Sequence, residues 1–300
     1  MRREALHWLG YTLFALAALA VGMTITFPAE AVGQRLSYEV RRATGGVWSL
    51  AYREVAPWRL SGLRLVDVRL SKTLAAGEPL VLPFDVVRVR VPLLPLLLLR
   101  VGVSGDLASA GGRLQVAVGR GRERSVHAHL EAQALDLAKP GWTALLFEMP
   151  VAGRLDGTAE VAWESELRRS VGSLALHGRG LHVGPGAAAG VVLPQVDIGE
   201  ASGRVELKDG RLSLSDFRQE GGNLRLKSSL AMQLKQPWAL SQLNACLMLR
   251  AEPAFLADNP KIRSALQLAE MQLKRDGEGF LHLPLAGSIG APKVAGGLCR

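Results

Sequence analysis

Aromatic residues are scarce in this chain. Trp, Tyr and Phe together make up 5% of its 300 residues, so packing must rest on Leu, Val and Ala. Cysteine is nearly absent: Cys246 and Cys299 are the two present. Neither forms a Cys-x-x-Cys pair or another metal-ligand spacing. The preferred reading is one buried thiol and one frayed terminal thiol. An oxidising compartment would instead permit a disulfide closing a long loop. Catalytic motifs are missing too. There is no Gly-x-Ser-x-Gly, His-Glu-x-x-His, Walker A or kinase set, and the carboxylates are dispersed. The expected protein is not an enzyme and holds no cofactor and no metal. Gly119-Arg120-Gly121 and Gly178-Arg179-Gly180 lack the following helix that a dinucleotide loop needs, and read as turns. His127-x-His129 puts two imidazoles on one strand face, but no ligand-spaced Cys, Asp or Glu joins them. It reads as a solvated polar face, and His177 and His182 make no better case. Runs of Lys and Arg are also lacking. The net charge of +9 comes from basic residues alternating with apolar ones, as on a solvated strand face beside an anionic membrane. That pattern excludes nucleic acid as a partner. An apolar fraction of 48% excludes disorder.

One apolar run is long. Leu6 to Phe27 holds 22 residues without an acidic or strongly basic side chain. As a helix it would measure roughly 33 Å, enough to cross a hydrocarbon core. Leu6, Trp8, Tyr11, Phe14, Leu19 and Phe27 are the expected membrane-spanning residues, with rings at both interfaces. Arg2 and Arg3 precede the run and Pro28 ends it. The expected layout is a cytoplasmic tip at 1–5, a transmembrane helix at 6–27, a linker at 28–45 and a periplasmic β-rich domain at 46–300. Ala29-Glu30-Ala31 has the form of a signal-peptidase site, but an h-region is normally only about 7–15 residues long. Val91 to Leu99 is a second apolar run, too short to span.

Past residue 45 apolar residues recur with period two. Val87, Val89 and Val91 alternate with Arg88 and Arg90. Leu114, Val116 and Val118 follow, then Val126, Ala128 and Leu130, then Ala159, Val161 and Trp163. Such alternation predicts antiparallel strands with one buried face. Gly111-Gly112, Asp156-Gly157, Asp209-Gly210, Gly221-Gly222 and Asp276-Gly277 are predicted hairpin turns. Val205 to Leu234 reads as a three-stranded meander. Leu212, Leu214, Leu224, Leu226, Leu230, Met232, Leu234, Leu281, Leu283 and Leu285 are the candidate apolar face, as an open groove or as ordinary core.

Helical signals are few. Asn259-Pro260 predicts a helix start, with Ile262, Leu266, Ala269 and Leu273 at helical spacing. Pro140 to Glu148 reads as a short helix, and Leu93 to Leu99 as a helical turn or buried strand. The fold class is therefore mainly β: an elongated, curved antiparallel sheet, open groove or sandwich, with two or three short helices. So few helices cannot cover a long apolar face. The sheet must fold on itself or stay open as a trough, and an open trough would shield acyl chains or a partner's apolar surface.

Several short elements carry a family resemblance. Phe27-Pro28-Ala29 ends the anchor, and Thr44-Gly45-Gly46-Val47-Trp48-Ser49-Leu50 follows. Trp58-Arg59-Leu60-Ser61-Gly62-Leu63 opens the first long sheet segment. Val91 to Arg100 is rich in Pro and Leu. Asp209-Gly210-Arg211-Leu212-Ser213-Leu214 and Gly221-Gly222-Asn223-Leu224 come late. Leu283-Pro284-Leu285-Ala286-Gly287 and Ala291-Pro292-Lys293 close the series. In this order they resemble the type II secretion system protein N family (general secretion pathway protein N, GspN), in its deltaproteobacterial form. More distantly they resemble AsmA-like envelope proteins, with curved β-grooves implicated in lipid transport. The resemblance implies an accessory inner-membrane component of a secretion apparatus that works by binding. Its implied partners are inner-membrane secretion-platform proteins, with the membrane itself and lipid beside them. The family has no catalytic residues to transfer. The rival expectations are a lipid-handling groove and an unrelated secreted β-protein with a cleaved signal. The linker Val32–Ala43 and the apolar residues of the late meander are the expected interaction segments.

Overall fold

The period-two segments pair into one antiparallel sheet. The computed structural model describes residues 11, 14, 15, 18, 22, 26–59, 61–72, 80–92, 101–109, 111–121, 125–139, 150–188, 191–271, 273–289, 291–295 and 297–299. The strands are β1 (Trp48–Ala51), β2 (Glu54–Trp58), β3 (Gly62–Lys72), β4 (Leu80–Arg90), β5 (Gly102–Ser109), β6 (Gly112–Arg120), β7 (Val126–Asp136), β8 (Val151–Trp163), β9 (Val171–Val183), β10 (Gly186–Ala188), β11 (Val191–Leu193), β12 (Val196–Lys208), β13 (Arg211–Glu220), β14 (Leu224–Gln233), β15 (Gln242–Ala251), β16 (Leu281–Ser288) and β17 (Ala291–Val294). Fifteen of them form the sheet, in chain order apart from β1 and β2, which pair with opposite ends of β3. β10 and β11 form a separate hairpin. The helices are α1 (Ala29–Ala43), α2 (Pro253–Asp258) and α3 (Pro260–Glu270).

The two faces of the sheet differ throughout. Following register partners across ten strands gives the row Val103, Val118, Ala128, Val161, Gly172, Leu207, Leu212, Met232, Leu243, Gly287. Every member is apolar or glycine. The neighbouring row on the opposite face runs Arg90, Ser104, Ala117, His129, Glu160, Ser173, Glu206, Ser213, Ala231, Asn244. One solvated face along every strand is what antiparallel pairing allows.

No second sheet packs on the apolar face among the described residues, so the open alternative holds and the sandwich does not. Val103 and Val118 remain 43% and 41% exposed, whereas a sandwich core would bury them. The accessible surface of 19,925 Å² far exceeds the roughly 12,000 Å² of a compact chain of this mass. Both ends of the sheet are covered. At one end Leu65, Val68, Leu82 and Phe84 form a buried cluster that includes Leu36 of α1 among its packing partners. At the other end Phe255 of α2, Ile262 of α3, Phe280 and Leu281 are buried.

The segment read as a linker is thus largely α1. Its Gly33 is buried against the β2 end of the sheet: a Cβ there would lie 2.9 Å from Val55 Cγ2 and 2.6 Å from Tyr52 Cζ. The Thr44 hydroxyl donates to the Val40 carbonyl at 2.8 Å, and Gly45 and Gly46 then take positive φ of 61° and 82°. The helix ends on this left-handed pair. Pro260 starts α3 as expected, although the Asn259 side chain donates back to the Phe255 carbonyl instead of capping.

Two expected turns are strand interior. Asp156-Gly157 lies within β8 because its carboxylate accepts from the Ala134 amide at 2.7 Å and pairs with Arg179 at 2.5 Å. Gly157 instead permits close approach: a Cβ would lie 2.7 Å from Leu176 Cδ2 and 3.1 Å from the Ala175 carbonyl. Gly178-Arg179-Gly180 lies within β9, where Gly180 and, facing it on β8, Gly153 take positive φ at a register shift. It is a bulge, which glycine accommodates without ending the strand. Gly119 and Arg120 likewise belong to β6. The other four glycine pairs lie at turns, and β12–β13–β14 is the expected meander.

Candidate functional site

Between its two covered ends the apolar face is open. A cavity of about 920 Å³ lies at β5 to β9; its lining takes Val103, Val118, Ala128, Val161 and Gly172 from the apolar row and His129 and Glu160 from the opposite row. The small side chains follow from the strand sequences. Ala128 and Gly172 sit beside Val161 in the row, which hollows the middle of the face. At 920 Å³ the space is of the size that takes a ligand or an extended chain, not a single water.

The sequence-derived apolar set falls on this same side, further along the sheet. Leu212 and Leu214 on β13 share the face with Leu224, Leu226, Leu230 and Met232 on β14. Leu281, Leu283 and Leu285 join through Leu249, Leu247 and Ala245 of β15. Eight of the ten are half-buried, and Leu234 and Leu281 are buried. Sequence reasoning missed the better opening at β5 to β9. Its only signal is the drop from Leu to Val, Ala and Gly along those strands.

The expected span lies mostly outside the described residues, including Leu6, Trp8 and Leu19. Tyr11 and Phe14 are described as helical and are 70% and 73% exposed. Phe27 is half-buried just before α1. Among the described residues no helix is long and apolar enough to cross a membrane. The expected helices at Pro140–Glu148 and Leu93–Leu99 lie wholly outside the described residues.

A second cluster was not legible as such. Cys246 and Cys299 form a disulfide, with Cα atoms 5.8 Å apart, against the preferred reading of separate thiols. The reason is the path of the tail after β17. Its Ala295 amide donates to the Pro284 carbonyl and its Cys299 amide to His282 Nδ1 at 3.0 Å. Pro284 is the register partner of Cys246, so the tail returns Cys299 to the cysteine. His282 alternates with Leu281 and Leu283 and belongs by period to the solvated face, yet it is 5% exposed. The tail covers it. Its Nε2 lies 3.0 Å from Asp276 Oδ2. That bond, with amide bonds from Phe280 and Glu278, holds the Asp276 carboxyl below the usual carboxylate range.

The histidine pair predicted as solvated contributes to no such cluster. His129 Nδ1 lies 3.2 Å from Glu160 across the strand pair, and His127 contacts the Ser125 hydroxyl at 3.3 Å. In comparisons with known proteins, no family model, no curated protein and no solved structure matches the chain.

Proposed function

We propose that this chain is an accessory component of a type II secretion system, anchored in the inner membrane by residues 6–27. In this reading the sheet projects into the periplasm and docks a partner protein, with the inner-membrane secretion platform as its neighbour. The observation that carries a binding role is the single-layered sheet, whose continuous apolar row is left open between α1 and the α2–α3 end. An apolar face of this extent is costly unless something covers it. The secretion assignment itself rests on the ordered family elements from Phe27 to Lys293. The anchor rests on the length of the apolar run and on the exposed Tyr11 and Phe14.

Photo-crosslinkers placed at Val118 and Ala128 of the full-length chain in cells test the reading. Adducts with secretion-platform proteins are expected. Val161→Lys, which puts a charge on the half-exposed row, should abolish those adducts while the chain still accumulates. Adducts distributed without preference over unrelated envelope proteins would overturn it.

A lipid-handling groove of the AsmA-like kind is the second reading. The small-residue trough at β5–β9 favours it, because Ala128 and Gly172 leave room for a chain of methylenes. Mass spectrometry of an organic extract of the purified chain separates the two. Stoichiometric phospholipid lost in Val161→Lys supports the groove, and its absence removes it.

A further inference from the structure

We infer that Cys246, His282 and Cys299 form a redox-gated zinc site at the C-terminal end of the sheet. Among the described residues this is the grouping of three ligand-type side chains whose donor atoms all lie within 4.8 Å of one another. A tetrahedral zinc with thiolate and imidazole ligands needs its donors only about 3.5–4 Å apart. Once the sulfur–sulfur bond is open, small side-chain movements and release of the Cys299 amide from His282 Nδ1 bring the donors to that spacing. Cys246 and His282 are brought to one face by register, since their partners Pro284 and Met248 are two residues away from each on adjoining strands. Cys299 is brought by the tail.

The histidine is already set as a ligand. Its Nε2 faces the Asp276 carboxylate and its Nδ1 accepts the Cys299 amide hydrogen. The proton therefore sits on Nε2, and the Nδ1 lone pair, which accepts the Cys299 amide hydrogen in the oxidised chain, is the one that turns to zinc when that amide moves away. A carboxylate behind the non-ligating nitrogen is the arrangement that orients and strengthens zinc-bound imidazoles. Asp276 is itself fixed by the Glu278 and Phe280 amides, both at 2.9 Å. A disulfide needs neither the buried histidine nor its carboxylate. Two thiolates and one imidazole select a soft ion and leave the fourth position to water.

Opening the site takes two electrons, supplied by a dithiol reductant. A thiolate of that dithiol attacks the Cys299 sulfur, which is half-buried where Cys246 is buried. The Cys246 sulfur leaves as a thiolate. The dithiol's second sulfur then displaces Cys299 and departs as a cyclic disulfide. Zinc takes both thiolates and Nδ1, and any thiol proton still present is released to solvent.

Zinc binding to the full-length chain in detergent, measured against a chromophoric chelator, tests this. The anaerobically reduced chain should take up one zinc per chain, and the oxidised chain none. Cys299→Ser and His282→Ala should lose the zinc. Asp276→Asn should weaken it by about 10–100-fold. Equal zinc uptake by the reduced chain and by the Cys246→Ser/Cys299→Ser variant would overturn the site. So would wild-type affinity in His282→Ala. Cobalt added to the reduced wild-type chain gives an answer that needs no variant to fold. Thiolate-to-cobalt charge transfer with tetrahedral bands is expected, and an octahedral spectrum would refute the site.

Discussion

The Asp276 carboxylate accepts from His282 and from two backbone amides, and these bonds lower its pKa, the His282 bond most. A carboxyl whose folded pKa lies below its unfolded value stabilises the fold above the ordinary carboxylate range. That contribution is lost as pH falls through the folded pKa. Urea midpoints taken from pH 6 downward should therefore drop more steeply for the wild type than for Asp276→Asn. Parallel curves would show that the three bonds do not favour the charged form. Asp156 follows the same rule at β8. The Ala134 amide bond lowers its pKa most and the Arg179 bond next. Gly222 is a different kind of residue, set by backbone. It has φ of +79°, and a Cβ would meet the Asp197 carbonyl oxygen and the Ile198 carbonyl carbon, both at 2.6 Å. Gly222→Ala combines strain with a backbone clash and should cost about 2–3 kcal/mol, read as a shift in the denaturant midpoint with unchanged slope.

At the scale of elements, α1 and the α2–α3 pair cover the ends of the apolar face, and the C-terminal tail covers His282 on the opposite one. α1 approaches the sheet closely because Gly33 has no side chain. Gly33→Val gains helix propensity of only a few tenths of a kcal/mol and meets Tyr52 and Val55. Overpacking of that kind costs about 1–3 kcal/mol. The expected result is net destabilisation, with earlier proteolysis between 29 and 43. The tail is held by the disulfide across a sequence separation of 53 residues. Loop entropy for that span corresponds to about 4 kcal/mol. Cys246→Ser/Cys299→Ser, compared with the oxidised wild type in the presence of a chelator, should lose about 2–4 kcal/mol. A loss of a few tenths would show that the tail contributes nothing to the sheet edge.

As a whole molecule, the described chain is one open antiparallel sheet. β1 and β2 share one position beside β3, so the sheet spans about 60 Å at about 4.8 Å per strand, where a compact chain of 300 residues has a radius of gyration near 19 Å and is about 50 Å across. Neutron scattering with the detergent contrast-matched should give a clearly larger radius. A value near 19 Å would mean that the sheet closes on itself in solution. An open, one-sided sheet also explains the composition. Few large aromatics are needed because there is no thick core to fill, and many basic residues are tolerated because one entire face is solvated.

The alternation of apolar and polar residues determined the strands, their antiparallel pairing and the identity of the apolar face. These are local and periodic properties, carried by residues such as Val116, Leu130 and Leu226. Gly221-Gly222 and Asp209-Gly210 determined the meander because a positive φ must be met on the spot. Other features depended on residues distant in sequence. Asp156-Gly157 and Gly178-Arg179-Gly180 carry turn chemistry but lie mid-strand, since the Ala134 amide and the β8 bulge claim them. Single-layer architecture was undetermined because periodicity specifies a buried face without specifying what lies against it. The Cys246–Cys299 bond and the burial of His282 follow from where the last strand sends the tail, and no local pattern encodes that path. The scarcity of aromatics, ambiguous by itself, thus acquires its meaning from the tertiary structure: the apolar row is a surface left partly open, not the interior of a sandwich.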